Sequence, residues 1–151
     1  MRTIETKIYT FDELTERAKE KARDWWRIGS LDYEWWEGAF EEAERIGLKI
    51  TEFDISNPRR AEGKLLASPT EICSLLLANH GETCGTYQFA RNYFKAKRNG
   101  ERTDTKEFTR ALMEEYAIML EKEYEYLLSD ESVDESIRAN EYEFTEDGKR
   151  A

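Results

Sequence analysis

The chain has 151 residues, of which 39% are hydrophobic and 37% are charged, and its formal net charge is −10. A chain of this length buries about two-thirds of its unfolded surface, so its stability requires neither disulfides nor a metal. No stretch approaches the roughly 20 apolar residues of a membrane span, and no apolar signal-peptide segment opens the chain. The two cysteines make no disulfide framework, so we expect a cytosolic protein with reduced thiols.

The negative charge is concentrated near the end of the chain. Residues 1–113 hold 20 acidic and 19 basic side chains, whereas residues 114–147 hold 13 acidic and only two basic ones. Such an asymmetry is typical of an interaction surface or of a strongly solvated face.

The first elements are a short strand and a helix. Isoleucines alternate with charged residues over 2–9, which predicts the strand. Thr10 and Glu13 have the spacing of a capping box, and the helix that follows should end near Gly29. Its apolar residues recur at three- and four-residue spacing, as expected for one buried face: Phe11, Leu14, Ala18, Ala22 and Trp25.

A second helix is predicted over 32–46, because Gly47 is a natural stop. Residues 48–55 are predicted to form a strand. Its apolar residues switch from one set of alternate positions to the other partway along, which predicts a bulge. Residues 63–67 could return as a second strand and make a hairpin.

Four further helices follow. Ser68 to Glu71 combines a cap hydroxyl, a proline at the first helical position and a closing glutamate. Later helices are predicted from about Glu82, over 104–128, and after Ser129. The alternation over 141–144 predicts a final strand.

Together these elements predict an α+β fold. We expect a small, mostly antiparallel sheet, made by the N-terminal strand, the central hairpin and the C-terminal strand, covered by five to six helices. No Pro/Gly/Ser-rich linker divides the chain, so residues 1–151 should form a single domain.

Both ends of the chain resemble a family of small phage and prophage proteins, commonly labelled antitoxins of toxin–antitoxin stability systems. The resemblance covers about a third of the chain, is weak across 56–115, and is carried by these segments: Arg2–Ile4, Ile8–Leu14, Ala18–Ala22, Glu123–Leu127, Ser129–Glu131 and Ala139–Gly148. It implies a mobile-element protein made in the bacterial cytoplasm, which targets a bacterial toxin or a host-defence component, such as a CRISPR or restriction system. It assigns no site residues.

The acidic region is the first candidate site. Carboxylates gathered on one face could imitate nucleic-acid phosphates and engage a partner's basic groove, whereas scattered ones would only solvate the surface. The acidic candidates are Glu121, Glu125, Asp130, Glu131, Asp134, Glu135, Glu141 and Glu143.

The tryptophan pairs at 25–26 and 35–36 are the second candidate. Neighbouring helical residues point about 100° apart, so one member of each pair should be core and the other partly exposed. Trp26 and Trp35 are the predicted binding anchors. Alternatively, all four pack internally.

A basic segment over 91–110 is interleaved with Tyr93 and Phe94, a composition that nucleic-acid surfaces share. It supports an alternative function as a nucleic-acid-binding regulator, although the overall acidity of the chain works against this. It could also pair with the acidic region or form a plain solvated face.

The chain offers no defensible catalytic or cofactor motif. Cys73, His80 and Cys84 match no common zinc spacing, and we expect them to be structural, with His80 at a helix end. No P-loop, dinucleotide-binding or nucleophile-elbow pattern occurs. This lack of motifs, together with the acidic region and what the resemblance implies, leads us to expect a non-enzymatic protein that inhibits a bacterial protein by direct binding and uses no cofactor.

Overall fold

The computed structural model describes residues 3–151 and has an α+β fold, as the sequence predicts. No helix in this range combines the length and the apolar character needed to cross a bilayer. In chain order the elements are β1 Tyr9–Thr10, α1 Glu16–Gly29, α2 Glu37–Arg45, β2 Leu48–Asp54, β3 Arg60–Leu65, α3 Pro69–Asn79, α4 Gly85–Arg98, α5 Thr105–Leu127, α6 Asp130–Ala139 and β4 Glu143–Phe144.

The contacts of the chain cluster into two compact units. Residues 3–35 and 124–151 form the first unit, and residues 36–123 form the second. The predicted strands form two separate antiparallel pairs, β1 with β4 and β2 with β3, instead of one sheet. The prediction of a single domain stays a prediction.

In the first unit, the two ends of the chain meet. Tyr9 pairs with Phe144 across β1 and β4. The strand predicted over 2–9 is wrong for residues 3–8, which have no regular structure, and residue 2 lies outside the described residues. Residues 3–8 are exposed, Ile4 by 79%, so no apolar face is buried that would hold a strand there.

The start of α1 also differs from the prediction. The Thr10 N–H donates to Glu13 Oε1 at 2.8 Å, but this bond closes only a single 3₁₀ turn at Phe11–Glu13. The helix itself is capped by Thr15, whose Oγ1 accepts the Ala18 N–H at 3.2 Å. The core of this unit consists of Phe11, Leu14, Ala18, Ala22, Trp26, Val133, Ile137 and Phe144.

In the second unit, β2 and β3 form the predicted hairpin, with the predicted irregularity between Ile50 and Glu52. β3 begins at Arg60, three residues before the predicted start. The second helix begins five residues late, at Glu37, and is followed by the expected Gly47 at a φ of 98°.

The helix signals of the second unit are confirmed. Ser68 Oγ accepts the Glu71 N–H at 3.2 Å and starts α3 with Pro69 in its first turn. α5 runs over 23 residues, close to the predicted 104–128. The buried core is made by Ala43, Ile46, Leu48, Ile50, Ile72, Cys73, Leu76, Ala90, Phe108, Leu112, Met113 and Tyr116.

Candidate functional site

The predicted acidic residues divide between the two units. Glu121 belongs to the second unit, where Arg59 Nη1 lies 3.5 Å from its Oε1. The other seven candidates belong to the first unit. Residues 3–35 and 124–151 together carry 17 acidic and nine basic side chains, so most of the net charge resides in that unit.

Two of these seven carboxylates bind arginines of α1. Arg23 forms a bidentate ion pair with Asp134, in which Nε donates to Oδ1 at 2.7 Å and Nη2 donates to Oδ2 at 2.9 Å. One turn later in α1 and one turn earlier in α6, Arg27 pairs with Asp130, and the Arg27 Nε donates to the Leu128 carbonyl at 3.0 Å. Asp130 and Asp134 therefore stabilise the packing of α6 against α1. Sequence spacing alone could not show this pairing.

A third arginine lies at the other end of α6. Arg138 donates from Nη2 to Asp12 Oδ1 at 2.8 Å, and this hydrogen bond lowers the pKa of Asp12. The guanidinium carbons of Arg138 and Arg23 also lie 5.5 Å and 5.6 Å from the ring centroid of Phe11. The packing of α6 against α1 and against the 3₁₀ turn Phe11–Glu13 thus combines bidentate ion pairs with cation–π contacts to a buried ring.

Five predicted carboxylates remain exposed. None of their side chains has an ion pair within residues 3–151. Glu131 and Glu135 stand four residues apart on the outer side of α6, so their side chains are neighbours. We call this set the outer acidic face, which consists of Glu125, Glu131, Glu135, Glu141 and Glu143.

Glu141 adopts an unusual backbone conformation. Its φ is 53°, in the left-handed region that glycine normally occupies at this position after a helix. The Glu141 N–H donates to the Arg138 carbonyl at 3.0 Å, and the Tyr142 N–H donates to the Ile137 carbonyl at 3.4 Å. These two hydrogen bonds make a Schellman motif. Glutamate occupies its left-handed position, where a Cβ raises the conformational energy.

A cavity of about 440 Å³ opens beside Glu141 and Glu143. Its other lining residues come from the same unit: Thr10, Phe11, Asp12, Ile137, Arg138 and Tyr142. The outer acidic face therefore includes a concave part next to the strained glutamate.

The tryptophan prediction is wrong for one residue. Trp26 is 5% exposed and lies in the core of the first unit, so it cannot serve as an exposed anchor. Its neighbour Trp25 is 36% exposed and packs edge-on against Tyr142, with ring centroids 5.2 Å apart. Trp35 is half-buried and packs against Tyr124 at 5.4 Å.

The basic segment lies in the second unit. Within the described second unit, residues 36–123, no ion pair joins a cation of 91–110 to any carboxylate. Lys97 instead donates to Thr70 Oγ1 at 3.1 Å. On α4, a hollow of about 320 Å³ is flanked by Arg91, Lys95 and Arg98. These cations therefore stay available to solvent or to a partner.

The network around His80 has no signal in the sequence. Its Nδ1 bonds to the Thr86 hydroxyl and its Nε2 bonds to Glu42 Oε1, while the Tyr116 hydroxyl donates to Glu42 Oε2 at 3.0 Å. The order hydroxyl, imidazole, carboxylate is that of an activated nucleophile. Thr86 is only 1% exposed, however, so its hydroxyl cannot meet a substrate. The network links three helices and the α3 C-terminus, which extends the predicted structural role of His80.

The cysteines lie in different environments. Cys73 is fully buried, and burial raises the pKa of its thiol to about 12. Cys84 is exposed. Among the described residues, no group of three or more His, Cys, Asp and Glu side chains could hold a metal ion.

Comparison of the chain with protein-family models, with curated proteins and with solved structures finds no match. The resemblance to the phage antitoxin-like family stays a prediction.

Proposed function

We propose that this chain is a non-enzymatic binding protein whose outer acidic face contacts a basic surface of a protein partner. The observation that carries the proposal is the division of the carboxylates. Asp130 and Asp134 are bound by arginines within the fold, whereas the five glutamates of the outer acidic face have no internal cation in the described chain.

The cost of this arrangement supports a role for it. Glu131 and Glu135 are like charges at four-residue spacing on one helix, which destabilises a helix by about 0.2–0.5 kcal/mol. Glu141 holds a left-handed conformation that costs an L-residue about 1–2 kcal/mol. Strain of this kind is concentrated at functional sites.

The class of partner follows from the charge and from the sequence resemblance. A carboxylate face favours a positively charged surface and speeds association by electrostatic steering. A bacterial toxin or a host-defence protein with a basic nucleic-acid-binding groove has such a surface. We infer that the chain inhibits its partner by occupying that surface, in the manner of a nucleic-acid mimic.

Affinity capture from bacterial lysate tests the proposal. The immobilised chain is compared with a variant in which Glu131, Glu135, Glu141 and Glu143 are replaced by glutamine. The matched control carries the same number of neutralised carboxylates at exposed positions of the second unit: Glu37→Gln, Glu41→Gln, Glu44→Gln and Glu71→Gln.

We expect a specific protein to be retained by the wild type and by the control, and to be lost with the outer-face variant. Its retention should also weaken steeply as salt rises, because exposed charges are screened. If no specific protein is retained, or if the outer-face variant retains the same protein equally well, the proposal is wrong.

One observation favours a second candidate, a nucleic-acid-binding regulator. Arg91, Lys95 and Arg98 form an exposed stripe along α4 that has no acidic partner within residues 3–151. A mobility shift with single- and double-stranded oligonucleotides at low salt tests it. Binding that is lost on reversing these three charges would favour this function, and the absence of any shift would exclude it.

A further inference from the structure

A groove of about 630 Å³ lies in the second unit, between β3 and the first half of α5. All six residues of β3 line it, and no residue of β2 does, so it lies on the side of β3 away from β2. The α5 wall repeats at helical spacing and consists of Thr105, Lys106, Thr109, Arg110, Met113 and Glu114.

The floor of this β3–α5 groove is apolar and closely packed. Ala61 and Leu65 are half-buried against the core, and Met113 is 4% exposed. Between them, Gly63 lets the strand approach the helix, because a Cβ there would lie 2.7 Å from Met113 Cε. The groove therefore accepts small aliphatic side chains and offers no aromatic ring on which a base could stack.

The backbone of β3 offers hydrogen bonds along this groove. β2 and β3 form a two-stranded sheet, so the second edge of β3 pairs with no strand in the described part of the chain. An edge strand of six residues presents a ladder of N–H and C=O groups about 20 Å long. Such an edge binds an extended peptide by strand addition.

The charges around the groove are unbalanced. Both carboxylates of the lining form ion pairs, because Arg60 lies 2.8 Å from Glu62 and Arg59 lies 3.2 Å from Glu114. Three further cations of the lining are exposed, and none has an ion pair between Thr3 and Ala151: Lys64, Lys106 and Arg110. The groove thus combines an apolar floor, a free strand edge and uncompensated positive charge.

We propose that the β3–α5 groove binds an acidic, extended segment of a partner protein, which adds to β3 as a third strand. Alternate side chains of that segment are small and apolar and face the floor, while the others are carboxylates that meet Lys64, Lys106 and Arg110. This site belongs to the second unit, whereas the outer acidic face belongs to the first, and the two would bind partners of opposite charge.

Fluorescence anisotropy with a labelled octapeptide of alternating valine and glutamate tests the proposal. We expect saturable binding that weakens about tenfold or more when Lys64, Lys106 and Arg110 are all replaced by glutamate. The matched control reverses three exposed cations of α4, Arg91, Lys95 and Arg98, and should bind the peptide as the wild type does. Circular dichroism of both triple variants verifies that they are folded.

Backbone methylation of the peptide tests strand addition directly. Successive N–H groups of a strand point to opposite sides, so in the bound peptide the N–H groups of only one residue type, either valine or glutamate, face β3. Methylating the backbone nitrogens of that residue type blocks pairing with β3, whereas methylating those of the other type does not. We expect one methylated peptide to lose binding and the other to retain it. Equal behaviour of the two would overturn the proposal.

Three further outcomes would also overturn it. A peptide of alternating valine and lysine could bind equally well, which would exclude charge selection. An oligonucleotide could compete for the groove at lower concentration than the acidic peptide, which would identify a nucleic-acid site. The chain could bind no peptide but form a dimer that the groove substitutions dissociate and the α4 control substitutions do not. That result would identify a second copy of the chain as the occupant of the groove.

Discussion

Arg23 on α1 holds both carboxylate oxygens of Asp134 on α6, through hydrogen bonds of 2.7 Å and 2.9 Å. The two side chains are only 11% and 14% exposed, so water screens the pair poorly. The hydrogen bond to Asp134 raises the pKa of Arg23. This pair joins segments 111 residues apart and makes part of the acidic region structural.

Replacing Asp134 with asparagine should destabilise the fold by about 2–3 kcal/mol, because it leaves a largely buried guanidinium with only the exposed carboxylate of Glu20 as counter-charge. The neighbouring change Glu135→Gln removes the same charge from an exposed position of the same helix and should shift stability by less than about 0.5 kcal/mol. Urea denaturation of both variants measures the difference. Equal effects would mean that the pair contributes nothing specific.

Replacing Glu141 with glycine should stabilise the fold by about 1 kcal/mol, because glycine adopts the left-handed conformation without a Cβ clash. The adjacent change Asn140→Gly is the control. Asn140 has a φ of −87°, so glycine there should destabilise the fold.

Thermal unfolding of both variants checks this prediction. If the outer acidic face binds a partner, Glu141→Gly should also weaken that binding while it raises Tm. A variant that is neither more stable nor weaker in binding would show that the glutamate is neither strained nor functional.

Replacing Thr86 with valine should destabilise the fold by about 1–3 kcal/mol. Valine has nearly the same shape as threonine but lacks the hydroxyl that bonds to His80 in this buried network. Thr83→Val, at an exposed position just before α4, controls for the change of residue type. Denaturant unfolding of the two variants distinguishes them. A neutral Thr86→Val would show that the hydroxyl contributes nothing to stability.

Burial of Cys73 predicts a loss of stability in alkali. Because burial raises the pKa of this thiol from 9.0 to about 12, its contribution is fully present below pH 9 and is lost as the pH rises towards 12. The unfolded state binds fewer protons in that window, so the free energy of unfolding falls by up to about 1.4 kcal/mol per pH unit.

Urea unfolding of Cys73→Ala between pH 8 and 11, under reducing conditions, should show a correspondingly shallower fall. The control Ile72→Val also removes buried volume but no titratable group, so it should lower stability at every pH and keep the wild-type slope. Identical slopes for wild type and Cys73→Ala would contradict the prediction.

The sequence predicts most helices because their signals are local. The hydroxyls of Ser68 and Ser129 each accept a backbone N–H three residues on, and the helices start where these caps require. Capping depends on residues within one turn, so no distant contact is needed to recognise it. The first strand is shorter than predicted: residues 3–8 are irregular and only Tyr9 of the predicted range pairs with β4, because a strand exists only where a partner pairs with it.

The choice between Trp25 and Trp26 shows another limit of periodicity. Relative to Ala22, the two residues lie three and four positions along α1, and both positions continue the apolar stripe. The packing of Val133 and Ile137 in the same core decided which indole is buried. Sequence spacing could not make that choice.

By itself, the sequence determined the α+β class, the caps of α3 and α6, the hairpin and the concentration of acidic residues near the end of the chain. Only the tertiary structure decided which of those carboxylates are structural and which are exposed. The physical reason is that an ion pair depends on the distance between two charges. The arginines that bind Asp130 and Asp134 lie more than 100 residues away along the chain.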